Sequence, residues 1–419
     1  MRWFRQYFPL QPLEGMRMKA VVFHGIGDIR LDDVPEPRIE APTDAVIRIT
    51  TSAICGTDLH FVRGSFSGME PGTILGHEGV GIVEAVGDHV RNFAPGDRVV
   101  VCSTIACGTC AYCRAGYFAQ CDHANPHGSR AGTAFFGGPG ATGPWNGLQA
   151  EKARIPFAHT TLVKVPDAVT DDQAILTSDI FPTGWFGADM AEIEQGRTVA
   201  VFGCGPVGQF AIASARLMGA GRILAVDHYP DRLEMARRQG AEPVDFERED
   251  PVETLVALTG GIGVDRVIDA VGVDAEHAHH GPAADISDKA GAALSAAKAA
   301  VAPKGRHAWK RGDGPSQALD WAVAALAKAG TLSIIGVYPP GQNDFPIGQA
   351  MNKNLTLRMG NCHHRKYIPH LLDLIAAGTI DPVALLTEMQ PMQDAISAYE
   401  AFDARKPGWL KVELRPAAA

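Results

Sequence analysis

Apolar positions change rhythm along the chain. From residue 18 to about 167 they come in runs of four to eight, alternating with polar residues or unbroken, at 19–23, 45–51, 79–86 and 98–101. A repeat of two is strand geometry, and turns such as Pro95-Gly96-Asp97 separate the runs. This pattern predicts a β-barrel-like domain. From about Thr183 strand-length runs alternate with helical spacing: strand 198–202, helix 207–218, strand 222–226, helix 232–239, then strands at 265–270 and 332–337. Alternating units of this kind predict a doubly wound parallel sheet with helices on both faces, so the fold class is α/β. After about Pro346 the chain is expected to leave that sheet, forming helices over 365–377 and 392–402 and a last strand at 410–414.

Two stretches break the pattern. Residues 1–17, aromatic and basic, read as a leader outside the ordered fold, which is expected to begin near Met18. Residues 273–316, rich in Ala, His and Lys, lie between two sheet strands. A crossover there needs only about a dozen residues, so the stretch reads as an insertion at the edge of the sheet, either a surface excursion or part of a ligand site. A net charge of −9 argues against nucleic acid or an anionic membrane as partner. No apolar run approaches the roughly 18 residues of a membrane span. Without a secretory signal, a cytoplasmic location with reduced thiols is expected.

That expectation matters for the eight cysteines. Cys107, Cys110, Cys113 and Cys121 follow a Cys-x2-Cys-x2-Cys-x7-Cys spacing in one loop. Four thiolates so close suit a tetrahedral Zn²⁺, and four protein ligands leave no open position, so this zinc is structural. Two disulfides are the alternative in an oxidising compartment. Cys102, Cys204 and Cys362 read as small buried hydrophobes. Cys55 follows the strand 45–54 and His77 lies at a loop–strand junction; a thiolate and an imidazole are the usual ligands of a catalytic zinc with one position left open, the alternatives being core packing for Cys55 and a turn role for His77.

Gly203-x-Gly205-x-x-Gly208 joins a predicted strand to a predicted helix. Its glycines permit a tight turn and close backbone approach to a pyrophosphate, and the helix start faces the anion. Pro206 suits the first helical turn, where its missing N–H costs nothing, and Val207 continues it. Asp227 lies 19 residues beyond Gly208, the place for a carboxylate on the ribose hydroxyls, which favours NAD over NADP. Arg232, a few residues on, weakens that preference.

The strings CGTDLH, GHEGVGIVEAVG, GDRVV, CGTCAYCRAGYFAQC, DIFPTGW and FGCGPVG, in this order, make the chain resemble the zinc-dependent medium-chain alcohol dehydrogenases. The resemblance implies a GroES-like β-barrel catalytic domain over 18–182 and 346–419, and a Rossmann domain over 183–345. It implies two Zn²⁺ per chain and NAD, a small alcohol or aldehyde substrate, and a homodimer or homotetramer. Cys55, His77 and Asp179 would hold the catalytic zinc, with Asp179 standing where many relatives carry Cys. Glu78 would sit behind the metal, Asp58 would orient His77, and Thr57 and then His60 would pass the proton to solvent. Gly336 and Val337 would touch the nicotinamide, and Lys411 the pyrophosphate. The implied reaction is reversible hydride transfer between a primary alcohol, or aldehyde hydrate, and NAD. The Asp at 179 and the insertion are similar to the branch of glutathione-independent formaldehyde dehydrogenases and dismutases with tightly held NAD. A non-catalytic relative is the remaining alternative. The loop 124–145 is expected either to line the substrate pocket, with Phe135, Phe136 and Trp145 as walls, or to be an ordinary surface loop, and Phe181 and Trp185 are candidates to narrow the site.

Overall fold

A computed structural model describes residues 16–128, 132–284, 307–309, 311–339, 341 and 344–417. Most of the predicted leader, and the middle of the 273–316 insertion, lie outside the described residues. The fold begins slightly earlier than expected. Strand β1 (Arg17–Gly25) pairs antiparallel with β2 (Asp28–Pro35), and the Met16 carbonyl accepts from the Glu36 N–H.

The first half is then built from β3 (Ala45–Ile54), helix α1 (Gly56–Arg63), β4 (Gly79–Val86), β5 (Arg98–Val101), β6 (Lys152–Ile155) and β7 (Leu162–Lys164). Helix α1 stops at Gly64, whose φ of 71° is the left-handed conformation that ends helices cheaply only at glycine. Helix α2 (Asp171–Ser178) starts on a reciprocal cap: the Thr170 hydroxyl accepts from the Gln173 N–H, and Gln173 accepts from the Thr170 N–H. It runs to Asp179, and α3 (Ile180–Met190) begins there.

The second half is a six-stranded parallel sheet of β8 (Thr198–Phe202), β9 (Arg222–Asp227), β10 (Glu242–Asp245), β11 (Val264–Asp269), β12 (Leu326–Ile334) and β13 (Thr356–Met359). Its spatial order β10-β9-β8-β11-β12-β13 is the 3-2-1-4-5-6 order of a Rossmann sheet. Helices α4 (Pro206–Leu217), α5 (Pro230–Arg238), α6 (Pro251–Leu258) and α7 (Gln317–Ala325) make the crossovers. The sheet corrects one expectation. The chain does not leave it after 346, because β13 adds a sixth strand beside β12. With a largely exposed, four-residue edge strand there is little burial to imprint a pattern on the sequence.

The chain then returns through α8 (His364–Ala376), β14 (Glu388–Pro391), α9 (Ala395–Asp403) and β15 (Val412–Arg415). Strand β15 joins β3, giving a mostly antiparallel sheet ordered β14-β15-β3-β4-β5-β7, with β6 also on β3. One apolar core runs through both halves, from Ala53 and Val80 through Phe181, Phe210 and Ile368.

Candidate active site

The four-cysteine loop lies between β5 and β6. Gly108, at φ 74°, turns the chain back so that backbone N–H groups point at sulfur. Thr109 N–H and Cys110 N–H both donate to Cys107 Sγ at 3.3 Å, and Cys107 N–H donates to Cys121 Sγ at 3.2 Å. All four thiols are buried and none forms a disulfide. Cys107 and Cys113 sulfurs lie 4.0 Å apart, near the roughly 3.8 Å edge of a tetrahedron with Zn–S bonds of about 2.3 Å. The Cys113 thiol holds Cys121 down to about 4, while that same contact drives Cys113 up.

A second cluster forms where α1 and α3 begin. Cys55 caps α1, His77 precedes β4, and Asp179 sits at the junction of α2 and α3, with donor atoms of Cys55, His77, Glu78 and Asp179 all within 4.8 Å of one another. Asp179 Oδ2 is 3.4 Å from Cys55 Sγ and 3.4 Å from His77 Nε2. These are edge lengths of a tetrahedron built on zinc bonds of about 2.0–2.3 Å. His77 Nδ1 faces Asp58 Oδ1 at 3.2 Å; the pair is poorly aligned as a hydrogen bond, and neither atom has another partner. The other Asp58 oxygen accepts from the Cys55 N–H and from Gln149, which is held in turn by the Tyr399 hydroxyl. The donor set therefore fits zinc, with Asp58 aimed at the rear nitrogen of the ligand histidine.

The groups of the cluster shift one another's ionisation. Burial, then the Asp179 charge, pushes the Cys55 thiol up. Burial also works against an ionised Asp179, yet hydrogen bonds from His364 and His77 hold it well below the usual carboxylate range. His364 is the residue that sequence reading missed. Its Nε2 lies 2.8 Å from Asp179 Oδ1 across 185 residues of sequence.

Glu78 is fully buried, and both its oxygens accept from Lys411 Nζ, at 2.6 and 2.7 Å. Lys411 also donates to the Ile54 carbonyl. This overturns the expected role of Lys411. It is sealed behind the metal cluster and does not line the dinucleotide cleft.

That cleft opens at the switch point between β8 and β11 and is lined by Gly203, Gly205, Pro206 and Asp227, as expected. Gly203 has φ 85°, and a Cβ on Gly208 would fall 1.8 Å from the Gly203 carbonyl oxygen. A Cβ on Gly205 would meet nothing closer than Arg232 at 3.9 Å; the bare backbone faces the open cleft. No side chain caps α4, so its first-turn N–H groups are left for an anion. These features fit a dinucleotide. Asp227 accepts from the N–H groups of Cys204, His228 and Tyr229. Val207 and Gly208 lie within α4 behind this wall. Gly336 and Val337 follow β12, with Val337 accepting from the Val273 N–H beside the cleft.

The described start of the insertion forms part of the same wall. Asp274 Oδ2 is 2.8 Å from His60 Nδ1 and accepts from Arg63 at 2.7 Å; its other oxygen accepts from Ser65. Glu276 accepts from Tyr229, pairs with His228, and forms a salt bridge with Arg405. His60 thus lines the cleft but is buried against Asp274, not open to solvent as expected. Two expected pocket walls are core residues. Phe181 stacks on Phe210 at 4.6 Å, and Phe136 is fully buried in the barrel. Phe135 does reach the site, 6.1 Å from the His77 ring and stacked on Phe61. Trp145 donates to the Ala124 carbonyl beside Arg154, and Trp185 packs on His370.

Known proteins share this arrangement. The family described as Alcohol dehydrogenase GroES-like domain matches residues 41–167, and that described as Zinc-binding dehydrogenase matches residues 206–279. The chain is 38% identical to the zinc-type alcohol dehydrogenase-like protein AdhB of Bacillus subtilis, over 95% of this chain and 100% of that one. It is 34% identical to the glutathione-independent formaldehyde dehydrogenase of Pseudomonas aeruginosa, over 93% and 96%. The solved alcohol dehydrogenase TADH from Thermus sp. ATN1 superposes with a TM-score of 0.77 at 34% identity, covering 95% of this chain and 100% of that one. Full-length identity at this level, on a fold that gathers both candidate metal clusters, places the chain in the zinc-dependent medium-chain alcohol dehydrogenase family.

Proposed function

We propose that this oxidoreductase interconverts a small primary alcohol, or an aldehyde hydrate, with its oxidised product, using NAD. The observation that carries the reading is the cluster of Cys55, His77 and Asp179 at one end of α1, whose Gly56, Leu59 and His60 line the dinucleotide cleft. Zinc in that cluster supplies Lewis acidity, which lowers the pKa of an oxygen acid by several units. NAD supplies the hydride acceptor. The chain does the rest. Cys55, His77 and Asp179 leave a tetrahedral site one ligand short, and Lys411 holds Glu78 by both oxygens. Thr57, half-buried on the first turn of α1, offers a hydroxyl for the substrate proton. His60, three residues on, receives it within the cleft, with the Asp274 carboxylate stabilising the imidazolium that forms. Phe135, backed by the buried Phe61, supplies an apolar wall beside His77. Asp227 repels a 2′-phosphate and so supports NAD over NADP, against the opposing pull of Arg232 on the same cleft.

A second reading rests on the contacts of Asp274 and Glu276 across the cleft: the cofactor is retained between turnovers, as a formaldehyde dehydrogenase or dismutase would require. Cofactor reduction should be followed over short alcohols, aromatic alcohols and formaldehyde, with zinc and bound dinucleotide measured on the same sample. Two zincs and turnover of one alcohol class with NAD are expected. Dinucleotide that survives dialysis would select the second reading, and two zincs with no turnover of any substrate would leave a non-catalytic relative.

A further inference from the structure

Asp179 differs from its fellow ligands in one physical respect. A thiolate has a single donor atom, and the His77 ring has one nitrogen facing the cluster. A carboxylate has two equivalent oxygens and a soft terminal torsion, so it can turn either oxygen, or both, toward a cation. In this chain that freedom is removed from outside the cluster. His364 Nε2 lies 2.8 Å from Asp179 Oδ1, and the Thr183 hydroxyl donates to the same oxygen at 3.2 Å. The opposite oxygen, Oδ2, is the one facing Cys55 and His77. An ionised carboxylate only accepts, so Nε2 of the His364 ring is the donor to it. Its Nδ1 lies 3.0 Å from the Thr104 hydroxyl. Both ring nitrogens of a side chain 3% exposed are thereby used, and the ring cannot turn without losing both contacts.

His364 comes from far away. It opens α8, on the segment by which the chain returns from the parallel sheet, whereas Asp179 lies on the outgoing segment between α2 and α3. The bond spans 185 residues and ties the two segments together beside the metal cluster.

We propose that His364 is the positioning residue of the third metal ligand: by binding Asp179 Oδ1 it fixes the carboxylate as a one-oxygen ligand aimed by Oδ2 at the Cys55–His77 site. This rests on the reading of that cluster as a zinc site. Outer partners of this kind are worth about 10–100-fold in metal affinity.

The test compares wild type with His364→Leu, His364→Gln and Asp179→Cys, alone and combined, by chelator competition for zinc and by the visible spectrum of cobalt-substituted protein. His364→Leu is expected to weaken the second zinc about 10–100-fold while the four-cysteine zinc stays in place, and to alter the cobalt spectrum. His364→Gln, whose amide reaches as far as Nε2, should restore both. In Asp179→Cys, where the ligand has one donor atom, His364→Leu should cost nothing further. If the Leu variant does not fold, His364→Asn, too short to reach Oδ1, carries the same expectation. Unchanged competition and spectrum in the Leu or Asn variant, or an equal loss in the Asp179→Cys background, would overturn the role of His364. A wild-type chain binding only the four-cysteine zinc would instead remove the reading beneath it.

Discussion

Asp179 concentrates the chemistry at the scale of single residues. Its Oδ2 lies 3.4 Å from both Cys55 Sγ and His77 Nε2. Asp179→Ala should abolish turnover and release one of two zincs, leaving the four-cysteine zinc bound; metal analysis retaining both would assign the ligand elsewhere. His363, next to the positioning histidine, carries a pH signature. Burial, then the charge of Lys366, depresses it from 6.5 to about 4, and its Nδ1 accepts the Ala119 N–H at 3.2 Å. The folded ring resists a proton that the unfolded chain takes up readily, so this histidine subtracts stability as pH falls from about 6.5 toward 4, and subtracts nothing further below that. Melting curves of His363→Gln across that window should be flatter than those of wild type; parallel curves would show that His363 does not titrate there.

What could be read from the sequence at this scale followed locality. The four cysteines sit within one loop and the glycine fingerprint within six residues, so spacing alone exposed them. Asp179 was legible only through the resemblance. His364 and Lys411 carry no local pattern, since their partners lie 185 and 333 residues away. A lysine near the C-terminus looks like a surface cation until β15 pairs with β3 and buries it against Glu78.

Among the elements, α4 shows how a motif becomes geometry. The glycine at 208 lets the helix close on the strand before it, and Gly208→Ala would drive its methyl into the Gly203 carbonyl. Overpacking of that kind costs about 1–3 kcal/mol. The variant should melt lower than wild type and should gain little from added NAD, whereas the wild type gains by mass action; an unchanged response to NAD would detach the motif from the cofactor. Strand alternation and helix spacing marked the longer barrel strands and the first crossovers of the parallel sheet. Short strands such as β6, β7, β10 and β13 were not marked; β13 is four residues long and largely exposed, so its apolar signal is weak. The helices framing Asp179 were hidden for another reason: α2 and α3 run almost continuously, and nothing in the sequence marks the interruption at residue 179.

On the scale of the whole molecule, the start of the insertion clasps the two halves. Asp274 holds His60, Arg63 and Ser65 of the barrel half; Glu276 holds Arg405, which also donates to Tyr229. Asp274→Ala would leave the buried Arg63 guanidinium short of a partner, a loss of about 3 kcal/mol or more, moderated by its second bond to Asp403. Lower thermal stability and faster loss of bound NAD are expected together. A variant that melts like wild type and keeps its cofactor equally long would show that the clasp carries no load. Because sequence reading had no means of pairing residue 274 with residue 60, the insertion could only be marked as an anomaly.

The break between α2 and α3 has a consequence for motion. Helix α2 packs against strands of the barrel and α3 against α4 of the parallel sheet, with Asp179 at the joint between them. Cys55 and His77 belong to the barrel side alone. If one half swings relative to the other, the coordination sphere is the first place to be distorted. An optical probe ion seated there would act as a strain gauge, reporting the opening of the cofactor cleft without any label on the moving parts.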